Sequence, residues 1–217
     1  MTRGSSVVDL GRTLRPARAS ALTHIRTEGR TLVLPLDSRT TLVVDDVQKG
    51  ILAMPPKEVA DQLVEANVTL ADAFQAAGLP VVWVHATGLP PGRVERPIPE
   101  DDELPEWFAD LDGRLPAREG DLHIDKPRTI SAFSRTDLAE KLRAEGVTQV
   151  VFTGIAMGAG VEASARSAFD EGFTVTVVSD AVVDGDPERQ RASLGHDIPS
   201  VGGLATVAEV VADLGKR

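Results

Sequence analysis

The sequence predicts an α/β fold, a parallel sheet with helices on both faces. Three observations support this. Short β-branched apolar runs recur after residue 40. Stretches with apolar residues at helical spacing separate them. Prolines, glycines and capping residues stand at the junctions.

Thr41–Val44 is the first such run and predicts a buried parallel strand. Pro55 and Pro56 then open a helix whose apolar face is Val59, Leu63, Ala66, Leu70 and Phe74, and Gly78 ends it. Pro80–His85 predicts the second strand and Leu122–Lys126 the third. Leu138 and Leu142 mark a helix stopped by Gly146. Gln149–Thr153 is a strand, Val161–Glu171 a helix closed by Gly172, and Thr174–Ser179 a further strand. Asp186 caps a helix that begins at Pro187. Thr206 and Glu209 have the spacing of a capping box, before a helix carrying Val207, Val210, Val211 and Leu214. Two stretches depart from this rhythm. Residues 1–40 carry only two short apolar runs and are expected to be an N-terminal arm, packed on the domain at 41–217 or on a neighbouring subunit, or else left as a loose tail. Residues 86–121 hold six prolines and little periodicity, which marks a functional or interface loop. Trp107 and Phe108 lie in it, either on a lid over a pocket or on a short surface helix pinned by apolar anchors.

Composition narrows the function. The chain has 217 residues, enough for one sizeable domain, with a net charge of −10. That balance argues against a nucleic-acid partner, which requires a basic face. No segment reaches the roughly 18 apolar residues of a membrane span, and MTRGSSVVDLGR lacks the apolar core of a secretory leader. There is no cysteine, hence no disulfide, thiolate metal site or thiol nucleophile. A cytoplasmic enzyme acting on a small molecule is expected.

Ligands of open α/β sheets bind beyond the carboxyl ends of the strands. Asp46 and Gln48 follow the first strand, in VVDDVQKG; Lys126 ends the third, in HIDKPRTISAF; Gly160 follows the fourth across a small-residue loop. A carboxylate beside an ammonium can exchange a proton with a substrate, although the same pair also occurs as a plain buried ion pair. Strand alternation turns Asp45 away from Asp46, so Asp45 is expected to be structural. Ser164 lies one turn beyond Gly160 and reads as a packing residue. His85, Met157, Trp107 and Arg93 are further candidate substrate contacts, with Arg96 beside Arg93; guanidinium groups suit an anionic substrate, but both arginines also fit a solvated loop. The four histidines show no paired ligand spacing, and the glycines at 158 and 160 lack the Lys-Ser/Thr ending of a phosphate loop, so neither a metal nor a cofactor is expected.

Residues 154–168, GIAMGAGVEASARSA, resemble the nucleophile loop of the isochorismatase-like (cysteine) hydrolases, of the type G-[VI]-A-x-x-x-C-V-E-x-[ST]-A-R. The Asp46–Gln48 segment resembles that family's D-x-Q motif, and Lys126–Phe133 its K-x-R/T…S-A-F motif. The similarity runs from about Thr41 to Leu214. It implies a three-layer α/β/α sandwich, Rossmann-like, with a six-stranded, mainly parallel sheet. It also implies a cis peptide near Ile155–Ala156–Met157 and a triad of Asp, Lys and Cys falling on Asp46, Lys126 and Gly160. The family usually has an apolar residue at position 45. With glycine at 160 the thioester route is closed. The isochorismatases of siderophore and phenazine biosynthesis share this glycine and cleave a vinyl ether by protonation. By that likeness Asp46 is the acid, and Lys126 orients it or binds substrate carboxylate. Three readings stand: a cysteine-independent hydrolase, an inactive ligand-binding or oligomer-forming member, and a cysteine amidase whose nucleophile is replaced by Gly. A thiol at 160 would lie at a helix start beside Lys126, and both favour the thiolate. The arm and the long loop make a homodimer or a higher homo-oligomer the expectation.

Overall fold

A computed structural model describes residues 34–95 and 104–216. Six strands form one sheet, all parallel, in the order β3-β2-β1-β4-β5-β6. They are β1 (Thr40–Asp45), β2 (Val81–Ala86), β3 (Leu122–Lys126), β4 (Gln149–Ile155), β5 (Thr174–Val183) and β6 (Gly203–Ala205). The α-helices are α1 (Lys49–Leu52), α2 (Lys57–Ala76), α3 (Leu138–Ala144), α4 (Glu162–Asp170), α5 (Pro187–Ala192) and α6 (Val207–Leu214).

The central strands are apolar throughout because both faces are covered. Val43, Val84, Ile124, Phe152 and Val177 pack under α3 and α4, against Leu138, Leu142, Val161 and Ala165. Leu42, Val44, Trp83, Val151 and Val178 face the other way, against Leu63, Leu70 and Phe74 of α2 and Val210 and Leu214 of α6. Each fully buried side chain of this size contributes roughly 1.5–3 kcal/mol on leaving water. Of the expected α2 face, Leu63, Leu70 and Phe74 are buried, and Val59 and Ala66 are half-buried.

The predicted caps are present. The Asp186 carboxylate accepts from the N–H groups of Glu188 and Arg189, and Thr206 and Glu209 form a reciprocal capping box. The structure adds β6, which pairs three residues with β5, and it carries β5 on to Val183 through an irregularity opposite Phe152–Gly154 of β4. β1 begins at Thr40, and residues 34–39 are tied to the body: Asp37 N donates to Gln149 Oε1 at 2.7 Å and Leu36 N to Asp213 Oδ2 at 3.0 Å. The rest of the expected arm lies outside the described residues.

The strand order reverses direction between β1 and β4. In such sheets the crevice for ligands opens at the carboxyl ends of the strands flanking that switch point. Asp45 and Asp46 leave one of these ends, and the turn carrying Gly160 leaves the other.

Candidate active site

Alternation along β1 directs Asp45 to the α3–α4 face, the side of Val43. Alternation then stops. Asp46 has φ 60°, a left-handed conformation that Asp tolerates better than most residues, and its N–H donates to Val84 O of β2 at 3.1 Å. The turn brings the second carboxylate back to the same side as the first. On that side Lys126, at the end of β3, is almost wholly enclosed and makes three hydrogen bonds: to Asp45 Oδ1 at 2.8 Å, Asp46 Oδ2 at 2.8 Å and Ile130 O at 2.9 Å. All three ammonium donors are thus taken. Lys126 orients the carboxylates and has no donor left for a substrate.

Asp45 is therefore part of the centre, contrary to the expectation from alternation. Its other oxygen, Oδ2, accepts from Ser164 Oγ at 2.8 Å, and Ser164 Oγ accepts from Ala132 N at 2.9 Å. Ser164, read as packing, links α4, the segment after β3 and the end of β1. Asp46 differs. Its Oδ2 faces Lys126, while its Oδ1 is buried with no hydrogen-bond partner.

Gly160 lies on the π-helical turn Met157–Val161 between β4 and α4 and is buried. A Cβ built on it would stand 3.4 Å from Asp46 Oδ2, 3.5 Å from Asp45 Oδ2 and 3.5 Å from Lys126 Nζ. The position projects into the middle of the three charged groups, and a side chain would fit there in ordinary contact. The turn reaches this place because Gly154, the last residue but one of β4, has φ 125° and lies where a Cβ would meet Asp45 O at 2.0 Å. The next peptide, Ile155–Ala156, is cis, within the expected stretch. Asp184, after β5, holds the turn from below: Gly158 N donates to its Oδ2 at 2.8 Å, and the Arg189 guanidinium grips both its oxygens. Burial opposes charge on Asp184, but hydrogen bonds from Arg189, Asp186 N and Gly158 N prevail and hold its pKa below the usual carboxylate value.

The charges at the centre are strongly coupled. Burial first, and the neighbouring Asp45 second, push Asp46 up to about 8, against the pull of Lys126. Burial disfavours the charged form of Lys126, yet Asp45 and Asp46 outweigh it and raise its pKa.

The other candidate contacts fall elsewhere. Gln48 is fully buried; its Nε2 donates to Ala86 O at 2.9 Å and Phe108 O at 3.0 Å, and its Oε1 accepts from Ala86 N at 2.7 Å. With both N–H groups taken, Gln48 holds the 104–111 segment on the strand ends and has no donor for a substrate. His85 anchors the same segment. Its Nδ1 is 2.8 Å from Ala109 O, which assigns the proton there and leaves Nε2 to accept from His123 Nδ1 at 3.0 Å. Burial, then His85, hold the pKa of His123 below the ordinary histidine value. The short helix Glu106–Ala109 docks through Phe108, whose ring lies where a Cβ on Gly50 would be, 2.1 Å from Phe108 Cδ2. Trp107 is half-exposed beside it, so one anchor rather than two pins the helix. Met157 is fully buried in the core under α3 and α4, which removes it as a substrate contact. Arg93 is exposed in a run of exposed residues, and Arg96 lies outside the described residues. Among the described residues no group of three or more His, Asp or Glu side chains is placed to hold a metal ion, and no helix is long and apolar enough to cross a membrane.

Comparison with known proteins agrees with this fold. The family model of the isochorismatase domain matches residues 40–209. The chain is 34% identical over 188 residues to the uncharacterised isochorismatase family protein YecD of Escherichia coli O157:H7, covering 82% of this chain and 98% of that one. It is 33% identical over 214 residues to a ureidoacrylate amidohydrolase, RutB, of Methylobacterium radiotolerans, covering 84% of this chain and 82% of the relative. Among solved structures, an isochorismatase family protein of Burkholderia thailandensis superposes with a TM-score of 0.78 at 33% identity, covering 85% of this chain and all of that one.

Proposed function

The chain belongs to the isochorismatase family of hydrolases, and from that premise we propose that it cleaves a small polar or anionic metabolite without a covalent enzyme intermediate, with Asp46 as the proton donor. The observation that carries this reading is the asymmetry of Asp46. One oxygen, Oδ2, is fixed by Lys126 and lies 3.4 Å from a Cβ built on Gly160; the other, Oδ1, is buried and unpartnered. A buried carboxyl oxygen without a donor is better placed to hold a proton than a negative charge. Its raised pKa keeps that proton at neutral pH, as a general acid requires.

The chemistry follows from what Gly160 leaves out. No thiol stands at the centre, so the bond to be broken must yield to protonation. An enol ether meets this need. The Asp46 carboxyl gives its proton to the enol-ether carbon, an oxocarbenium ion forms, water adds to it, and the hemiketal collapses to a carbonyl compound and an alcohol. The water's proton returns the carboxyl to its starting state. Lys126 steadies the carboxylate that Asp46 becomes during the step, because it already donates to Oδ2.

One observation favours a second reading, an amidase scaffold whose nucleophile is replaced by glycine. The space at Gly160 accepts a Cβ without a clash, and a relative bears the name of an amidohydrolase. The two readings separate on a substrate panel of isochorismate, nicotinamide and other amides, run on the wild-type protein and on Asp46→Ala. Turnover of the vinyl ether by the wild type, lost in Asp46→Ala, is the expected result. Turnover of amides alone would overturn the proton-donor mechanism; no turnover of any compound would favour an inactive, ligand-binding member.

A further inference from the structure

Position 45 sets this centre apart from a simple Asp–Lys pair. We propose that Asp45 is a positioning residue that places the proton of the centre on Asp46 Oδ1. The inference rests on the reading of Asp46 as a proton donor and adds the device that keeps the donor loaded.

A buried ammonium and one carboxylate balance in charge, and neither then needs an extra proton. Here one ammonium, Lys126, stands between two carboxylates, each at 2.8 Å, with Asp45 and Lys126 enclosed and Asp46 nearly so. Fully ionised, the three groups would leave a net negative charge away from water, which is costly unless it is neutralised. Taking up one proton removes that charge.

Hydrogen bonding decides which carboxyl takes it. Asp45 accepts on both oxygens, from Lys126 Nζ on Oδ1 and from Ser164 Oγ on Oδ2. The direction of the second bond is fixed, because Ser164 Oγ already accepts from Ala132 N and has its own hydrogen left to give. Neither oxygen of Asp45 faces an acceptor, so a proton placed there would meet a donor. Asp46 accepts on Oδ2 alone. The N–H of Ala86 donates to Gln48 Oε1 at 2.7 Å, and its pull on the Asp46 carboxyl is the smallest of the causes acting there. The pattern admits a proton at only one of the four oxygens, Asp46 Oδ1.

Among the described residues, the charges that act on Asp46 are those of Asp45 and Lys126. From β1 the titratable group facing Asp46 is Asp45, and from β3 it is Lys126. The turn after β4 and the start of α4 present Gly160 and Ser164, and the segment after β3 presents the carbonyl of Ile130 and the amide of Ala132. The rise of Asp46 toward 8, with Asp45 as its second cause after burial, has the sign this arrangement requires.

The test follows aspartate carboxyl carbons by carbon-13 nuclear magnetic resonance, on the full-length protein labelled at that carbon, from pH 5 to 10. In the wild type, one aspartate is expected to titrate near pH 8 and to be absent from Asp46→Asn. In Asp45→Asn, which keeps the shape, and in Asp45→Val, which removes the polar group, the Asp46 midpoint is expected to fall by about 1–3 pH units, the usual reach of one neighbouring charge. Thermal melting checks that each variant is folded, and Asp45→Asn carries the test if Asp45→Val does not fold. An unmoved midpoint in a folded Asp45 variant overturns the proposal, because burial alone would then hold the proton. So does a high-pH titration that vanishes in Asp45→Asn and survives in Asp46→Asn, or a wild type with no aspartate titrating above the ordinary range. Activity separates this inference from the functional reading: undiminished turnover by Asp46→Asn rejects Asp46 as the acid and leaves the titration result standing.

Discussion

Ser164 Oγ donates a 2.8 Å hydrogen bond to Asp45 Oδ2 across 119 residues of sequence. The bond ties the first turn of α4 to the end of β1, and the Ala132 N–H that Ser164 accepts adds the segment after β3. Three pieces of chain that carry the candidate chemistry therefore meet on one hydroxyl. Ser164→Ala removes the hydroxyl and leaves both the Ala132 N–H and one Asp45 oxygen buried without a partner. A buried group stripped of its partner costs about 1–3 kcal/mol, more for a charged one. The variant should be less stable than the wild type by at least that amount in urea unfolding. A loss below about 0.5 kcal/mol would mean that water takes the place of the hydroxyl.

Asp46 should govern the alkaline limb of activity. A general acid works in its protonated form, and this carboxyl holds its proton up to about pH 8. Turnover should thus be flat below that pH and fall above it. Asp46→Asn keeps the shape and loses the proton, and should reduce kcat by on the order of 10²- to 10⁴-fold, the usual contribution of acid catalysis. A rate that rises through pH 8 would identify the working form as the carboxylate.

The same residue should make stability depend on pH. Its native pKa, about 8, lies above the unfolded value of 3.8, so the native state holds more protons between these limits. Where the native state binds more protons, unfolding free energy falls as pH rises. The contribution of Asp46 is thus complete below about pH 4 and lost progressively by pH 8. Lys126 is shifted upward from 10.5 and acts above this window. Asp46→Asn should therefore melt above the wild type at pH 8–9, with the gap narrowing toward pH 4. Parallel melting curves across that range would show that Asp46 is ionised in the folded protein.

The layers of the fold were legible in the sequence because they rest on local signals. Pro55, Pro56 and Gly78 bracket α2, Asp186 and Thr206 cap their helices, and the β-branched runs lie in buried strands. β6 was not legible. It has three residues, two of them Gly203 and Ala205, and exists through pairing with β5 rather than through its own pattern. The positions of Asp46, Lys126 and Gly160 at strand ends could be read from order alone. The approach of Asp45 could not, because it depends on the left-handed turn at Asp46, where alternation ceases to apply. Two adjacent aspartates at the end of an apolar strand were the signal present, since a buried acid there requires a donor. The partners of Gln48 and His85 were not legible for a related reason: Phe108 O and Ala109 O come from a loop without periodicity.

Restoring a thiol at position 160 tests both the alignment of the centre and the effect of Asp45. From the sequence, Gly160→Cys would be activated by Lys126 and the helix start. The structure adds two carboxylate oxygens at the same distance as the ammonium: a Cβ there stands 3.4 Å from Asp46 Oδ2 and 3.5 Å from Asp45 Oδ2 and Lys126 Nζ alike. An opposite charge favours a thiolate and a like charge disfavours it. With Lys126 already shared, the thiol of the single variant should be alkylated by iodoacetamide at neutral pH no faster than an exposed model thiol. In the double variant Gly160→Cys with Asp45→Val, Asp46 loses the neighbouring charge that keeps its proton on, so its carboxylate can take the thiol's proton beside Lys126, as in the triad the family resemblance implies. Its alkylation should be at least tenfold faster than that of the single variant, and slow hydrolysis of activated esters should accompany it. Fast alkylation of the single variant would show that Lys126 and the helix start outweigh Asp45. Equal, slow rates in both variants, with each folded, would mean that the sulfur does not reach Lys126 and that position 160 is not the nucleophile position of this chain.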